Sequence, residues 1–367
     1  MNRALIDLYS DYLITAFSQA SATSLSRALD GQISHDTITH FLADHTLTGR
    51  DYWQLVKPFI REVQGPNAVI AIDDFIVEKP SSDENSLIAY HYDHTLGRSV
   101  KGMNIVDAVY VSGEARLPLD FAAVTKGEAE FDFEHNRWRR SNVRTKNELY
   151  RDLLRQAVAN GVPFSLVLND VWYASSENMI FVKRELGKDF VMPVKSNRRA
   201  KLVAEGKTEG KTEGKGPYQP VSSLDSKEGT VYPARLEGVP FVVFLTRAVF
   251  RNEDGSEGVL YLVTSLEGLS GEQVVAAYQT RWRIEEQHKS AQQNAAIGSS
   301  PAWLVPARRN HVFCAFVGVL KLERMRLVTG LNHFALRGKL YLAALKAAMG
   351  ELQQLRAENV VGQVKPA

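Results

Sequence analysis

The sequence predicts an α/β fold: a mixed sheet flanked by helices, with an N-terminal helical domain and a β-rich segment set into the sheet domain. Three observations carry this reading. Short apolar runs of strand length, AVIAID (68–73), FSLVLND (164–170) and DFVMPVK (189–195), alternate with helical stretches, the pattern of strands packed between helices. The first 65 residues instead repeat apolar side chains at three- and four-residue steps, the period of a helix. The 367 residues, 44% hydrophobic and 23% charged, make a core sufficient for about two domains, or one large domain with an insertion, at roughly 150 residues each.

In chain order, residues 1–66 form the helical region. Leu5, Leu8, Tyr12, Leu13 and Phe17 mark its first helix, and Ser34 caps a run through Ile38 and Phe41. Such a head suits DNA binding or dimerisation, and equally any small helical bundle. Residues 1–70 carry five basic side chains against seven acids, which argues against phosphate contact along the whole segment. Residues 67–196 hold the first part of the sheet: strands at 68–73, 105–111 and 117–124, the last two split by the turn SGEA, then a helix at 144–159, a strand at 164–170, a helix at 175–186 and a strand at 189–195. YHYDH is a polar strand; alternation puts His91 and Asp93 on one face and His94 on the other, so no three-ligand metal set forms there.

Residues 197–265 read as the β-rich insertion. GKTEGKTEGKG is a low-complexity, exposed loop. It lacks the glycine that a phosphate-binding loop needs five residues before G-K-[ST], since those positions are Lys201 and Glu205. Strands follow at 230–234, 240–245 and 259–264, with the turn NEDGSEG between the last two. Helices fill 266–355, and 356–367 is a tail.

No apolar run reaches 18 residues, so no membrane span is expected, and the acids within MNRALIDLYSDYL exclude a signal peptide. The single cysteine, Cys314, forms neither an internal disulfide nor a zinc cluster; a reducing cytoplasm is expected, and a metal would need oxygen ligands. The net charge of +2 hides an uneven distribution: residues 281–346 hold eleven basic side chains against three acids. A second cluster comprises Arg137, Arg139, Arg140, Arg144 and Lys146. Such patches fit a polyanion partner or solvated faces.

Asp73 and Asp74 stand where the first apolar strand ends, and Asp170 repeats the arrangement on another. Strand ends are where an α/β sheet displays reactive groups, though a turn aspartate is the plainer alternative. In YQTRWRIEEQHK, Tyr278, Arg281 and Glu285 fall at i, i+3 and i+7 on one helix face, with Lys289 at i+11. Three carboxylates without a His/Cys cluster suit two hard cations, Mg2+ or Mn2+, which about 4 Å apart clamp both oxygens of an in-line phosphoryl transfer.

These residues resemble the DDE-type transposases of bacterial insertion sequences, and more narrowly the family-four group with its Tyr-Arg-Glu-Lys signature. IDDFIVEKP is similar to the first-aspartate segment, LVLNDVWYASSENM to the second, VKSNRR to the strand after it, and YQTRWRIEEQHK to the signature helix. The resemblance implies an RNase H-like core with a β-rich insertion before the last catalytic helix. It also implies a metal-binding triad of Asp73, Asp170 and Glu285, with Asp74 as the rival to Asp73, and phosphate contacts from Tyr278 and Arg281. Two departures stand out: Phe75 occupies a place where the family has a hydroxyl, and the signature lysine falls on Gln292, for which Lys289 is the nearest substitute. Arg198 and Arg199, just past a core strand, and Arg139 and Arg140, beside Trp138, are further candidate DNA contacts.

The expected activity is transposition: hydrolysis frees a 3′ hydroxyl at the element end, which attacks target DNA. The alternatives are an RNase H-like nuclease, or an inactive DNA-binding descendant. The expected partner is double-stranded DNA, bound as a homodimer in the bacterial nucleoid.

Overall fold

The computed structural model describes residues 1–93, 96–134, 136–203, 216–251 and 255–361. The GKTEG repeat, His94, the start of the NEDGSEG turn and tail residues 362–367 lie outside them. The chain divides into two compact units, Met1–Leu47 with Lys289–Ala367, and Thr48–His288.

The first unit opens with α1 (Arg3–Thr15), α2 (Ala22–Ala28) and α3 (His35–Asp44). Each begins at a polar cap, from Asn2, Ser21 and Ser34, whose side chain accepts a first-turn amide.

The second unit begins with α4 (Gly49–Val63), closed at its start by a Thr48–Asp51 capping box. Its strands are β1 (Val69–Glu78), β2 (Ala89–Asp93), β3 (Arg98–Ser112), β4 (Ala115–Ala123), β5 (Lys126–Asp132) and β6 (Arg137–Asn142). After α5 (Lys146–Ala159) come β7 (Leu166–Asn169), a 3-10 turn at Val171–Tyr173, and α6 (Ser176–Ile180) running into a π-helical turn. Then follow β8 (Asp189–Val194), β9 (Arg199–Leu202), β10 (Gln219–Pro220), β11 (Val231–Leu236), β12 (Val243–Arg251), β13 (Glu257–Thr264), α7 (Gly271–Gln279) and α8 (Trp282–Asn294). From Lys289 in α8 the chain belongs to the first unit, with α9 (Val305–Thr329) and α10 (His333–Val361). There Tyr9 of α1 bonds His311 of α9 at 3.0 Å, and Gly318 lets α9 close on Ile14 and Ser10. None of these helices is long and apolar enough to cross a membrane.

Among the described residues, eleven strands form one sheet in the order β10-β9-β11-β12-β13-β8-β7-β1-β3-β2, with β4 also paired to β3. It is mixed: β1, β7 and β8 run parallel, and β3 is antiparallel to β1 and β4. A large mixed sheet flanked by helices is the architecture the sequence predicts, and it is consistent with an RNase H-like core. The β-rich stretch extends this same sheet, because β13 pairs with β8. One face is sealed by a cluster in which Val69, Ala71, Val109, Leu166, Leu168 and Val191 meet Val274 of α7 and Ile284 of α8.

The structure corrects two expectations and places one basic cluster. The first strand does not end at Asp73 and Asp74 but runs on to Glu78, because β3 continues to pair with it from Asp73↔Asp107 to Glu78↔Gly102. Only the parallel partner stops, at Ile72↔Asn169. Gly102 permits the long β1–β3 pairing: a Cβ there would lie 2.4 Å from the Val77 carbonyl oxygen. Arg137, Arg139 and Arg140, around Trp138, lie on a separate β5–β6 hairpin, whose strands KGEAEFD and RWRRSN leave no apolar alternation to read. Finally, α10 continues into the expected tail, since LQQLRAE consists of strong helix formers.

Candidate active site

Side-chain alternation along β1 separates the two neighbouring aspartates. Asp73 shares its face with Val69 and Ala71, which pack beneath α7 and α8, whereas Asp74 points to the opposite face with Ile70 and Ile72. Asp74 is accordingly taken up by other partners: Lys146 Nζ of α5 at 2.6 Å and the Tyr173 hydroxyl, which donates to it at 2.7 Å. Asp73 receives the Asp74 amide on Oδ1 at 2.8 Å and the Arg281 guanidinium on Oδ2 at 3.1 Å.

Asp170 follows the last residue of β7, at the level where β7 stops covering β1. Its Oδ1 accepts the amides of Trp172 and Tyr173, at 2.9 and 3.3 Å, and so caps the 3-10 turn. Burial, reinforced by the charge of Asp170, raises the Asp73 carboxyl to about 7 despite the opposing charge of His288. Burial also raises Asp170; the two turn amides oppose it, and the charge of Asp74 adds to it. Two buried carboxylates that each resist ionisation make a locus short of positive charge.

The signature segment is not the single helix the sequence predicts. α7 ends at Gln279 and α8 starts at Trp282, joined by tight i→i−3 bonds from Arg281 to Tyr278, Arg283 to Thr280 and Ile284 to Arg281. The break turns the Arg281 side chain inward, 12% exposed, so that Nη1 meets Asp73 while Nη2 meets Glu285 Oε1 at 2.8 Å. Its guanidinium lies 5.6 Å from the ring centre of Tyr278, and its Nε is buried without a partner. Asp73, Asp170, Glu285, Tyr278 and Arg281 are thus brought to one locality, with Arg281 lying between two of the acids.

Sequence reasoning missed a second layer. Asp107, opposite Asp73 in the β1–β3 pairing and wholly buried, bonds His288 Nε2 at 2.6 Å and Gln287 Nε2 at 2.7 Å. The His288 ring lies 4.2 Å from that of Phe75. Burial alone would lower the imidazole's pKa, but the charge and hydrogen bond of Asp107 reverse the sign and raise it. An aspartate inside the apolar run NIVDAVYV was the available signal, since a buried charge requires a partner.

The remaining predicted contacts are scattered. Lys289 is exposed on α8 one turn beyond Glu285. Arg198 bonds Ser176 and the Glu237 carbonyl, and Arg199 bonds the Tyr218 carbonyl at 2.9 Å. Arg139 pairs with Asp132 at 3.3 Å and Arg140 bonds the Gly127 carbonyl at 2.8 Å, both within their hairpin. There the opposing Glu130 and Asp132 offset much of the arginine charge.

The donor chemistry fits a hard divalent cation, for Asp73 and Asp170 are oxygen ligands in need of positive charge. In the folded arrangement, however, no group of three His, Cys, Asp or Glu side chains among the described residues is placed to hold a metal ion. Arg281 occupies the space between Asp73 and Glu285 instead.

A family model described as "DDE superfamily endonuclease" matches residues 1–234. The match includes Asp73 and Asp170 and ends before Arg281 and Glu285. Among solved structures, the Drosophila P element transposase strand transfer complex is similar at 12% identity and TM-score 0.27, over 48% of this chain and 36% of that one. Endonuclease V from Bacillus subtilis is similar at 11% identity and TM-score 0.24, over 77% of this chain and 93% of that one. The chain thus spans about a third of the P element transposase, and at these TM-scores neither likeness fixes the fold. No curated protein matches.

Proposed function

The chain belongs to the DDE superfamily of endonucleases, and from that premise we propose that it is the transposase of a bacterial insertion sequence. It would cut DNA at the element ends and join the 3′ hydroxyl to target DNA. The observation that carries this reading is the meeting of β1, the end of β7 and α8 around one arginine, with Asp73, Asp170 and Glu285 as the catalytic carboxylates.

Asp73 and Asp170 would hold Mg2+ or Mn2+, and Glu285 would join them once Arg281 leaves it. When bound, the cations supply a Lewis acid for the phosphate and an activated attacking oxygen. The protein's own contribution is placement. β7 and β1 fix the two aspartates in neighbouring strands, and the Asp107–His288 bond holds α8 against the sheet so that Glu285 faces them. Arg281 is the residue to grip the scissile phosphate. Its partnerless Nε is a donor suited to an anionic oxygen, and a phosphate competes with Asp73 and Glu285 for the guanidinium. Tyr278 backs it, and Arg198 and Arg199 would extend the phosphate track, with Lys289 one helical turn beyond Glu285; Arg139, paired with Asp132, and Arg140, bonded to the Gly127 carbonyl, would contribute less. Pairing of two element ends requires a homodimer on DNA.

The test is cleavage of a duplex carrying the element end, with Mg2+. Asp73→Ala, Asp170→Ala and Glu285→Ala each abolish cleavage while retaining duplex affinity, and Arg281→Ala weakens binding and flattens its salt dependence. Unchanged cleavage by Asp170→Ala overturns the triad. One observation favours a second reading, an inactive DNA-binding descendant: the three carboxylates are not gathered on a single point. Binding by the wild type without any cleavage would select it, and cleavage without strand joining would select a nuclease.

A further inference from the structure

A cavity of about 590 Å3 lies between α4, α5 and β4, and its lining includes Arg50, Trp53, Asp120, Phe121, Leu149 and Leu153. Asp120 pairs with Ala108, and Ala108 with Ile72. Directly paired residues share a face, so Asp120 points to the side of the sheet opposite Asp73, α7 and α8. We propose that this cavity binds a small monovalent organic cation, a primary ammonium or guanidinium on an apolar body, with its charge on Asp120 and its body on Trp53. The proposal is independent of the phosphoryl-transfer reading, for none of the candidate catalytic residues lines the cavity.

Four observations converge. The first is an acid without a cation. The Phe121 amide donates to Asp120 Oδ1 at 2.9 Å, and no lysine, arginine or histidine among the described residues pairs with this carboxylate. Burial raises it to about 6, the mark of a carboxyl short of positive charge. Second, α4 sets an aromatic platform beside it. A Cβ on Gly49, the first residue of that helix, would lie 3.7 and 3.8 Å from the two Asp120 oxygens. The missing side chain keeps the approach to the carboxylate open, and Trp53, one turn on, lies on the same helix face. Indole is the strongest aromatic partner for a cation.

Third, Leu149 and Leu153, one turn apart on α5, and Phe121 give the cavity an apolar wall. Its volume falls in the range of pockets that enclose a whole small molecule, which favours a free amine over a single lysine side chain offered by a protein. Fourth, the remaining charges limit the ligand to one positive charge. Arg144 is bonded to Asp152, whereas the exposed Arg50 makes no ion pair among the described residues. Its guanidinium repels the further charges of a polyamine, and Asp120 repels a carboxylate.

The test is calorimetric titration of the full chain near pH 7.5 with 2-phenylethylamine. The controls are 3-phenylpropionate, which has the same body and the opposite charge, spermidine, which has several charges and no such body, and a capped Leu-Lys-Leu peptide, which carries the ammonium on a chain. The expected result is saturable binding of 2-phenylethylamine by wild type, and weaker binding of all three controls. Asp120→Asn loses at least about tenfold in affinity. Trp53→Ala loses about twofold to thirtyfold, with Trp53→Phe between it and wild type. Asp120→Asn keeps the shape of the side chain and is expected to melt no lower than wild type, because above about pH 6 the folded carboxylate is ionised at a cost. Its loss of binding is thereby separated from a loss of folding. Wild-type affinity in Asp120→Asn, tighter binding of spermidine or the propionate, or no saturable binding of the amine overturns the proposal. Binding of the peptide alone overturns the free amine as the occupant.

Discussion

Arg281 and Asp73 carry most of the argument at the scale of single residues. The family resemblance implied a phosphate contact for Arg281, and the structure places it between Asp73 and Glu285 as an internal cation. The consequence for Asp73 is testable through pH. Its carboxyl is raised in the folded protein, so between about pH 4 and pH 7 the folded state keeps a proton that the unfolded state has released. Stability is therefore lost as pH rises through that window. Asp73→Asn removes the effect: in EDTA its melting advantage over wild type is smaller at pH 5 than at pH 8. An equal difference at both pH values would show that the Asp73 carboxylate is not held at a cost. That Asp73 and not Asp74 faces α8 was in principle readable, since strict alternation from Val69 and Ala71 determines it. The bond from Arg281 to Asp73 was not, because the two lie 208 positions apart and no local pattern reports such a pairing.

Elements explain which parts of the fold were legible. β7 and β8 are short, apolar and flanked by helices, and their unbroken apolar runs announced them. β5 and β6 carry charged side chains around one aromatic pair, Phe131 opposite Trp138, so no apolar run announced them and the sequence showed only a basic cluster. The break between α7 and α8 was hidden because TRWRIEEQ has ordinary helix formers throughout. What anchors α8 is the buried Asp107 with its two partners on the helix, His288 and Gln287. Asp107→Ala strands these groups, and such losses cost about 3–5 kcal/mol; urea unfolding measures it. A drop under about 1 kcal/mol would mean that α8 is held by Ile284 packing alone. Gly102→Ala, which sets a methyl against the Val77 carbonyl, is expected to destabilise by about 1–3 kcal/mol, the usual range for overpacking.

For the whole molecule, the order of elements along the chain conceals how it packs. The N-terminal helices close against α9, more than 300 positions away in the bond from Tyr9 to His311, so the first and last segments form one unit. Removal of residues 1–47 strips Ile6, Tyr9, Leu13 and Ile14 from that unit. Each is worth about 1.5–3 kcal/mol of burial, and the truncated chain is expected to aggregate, as light scattering would show; a soluble, cooperatively melting truncation would contradict this packing. The central claim is that three carboxylates from three elements serve one cation site. Calorimetric titration of the full chain with Mn2+ tests it most directly. The account predicts saturable binding by wild type, its loss in Asp73→Asn, Asp170→Asn and Glu285→Gln alike, and tighter binding in Arg281→Met. Wild-type affinity in Glu285→Gln, or no binding by any form, would contradict it.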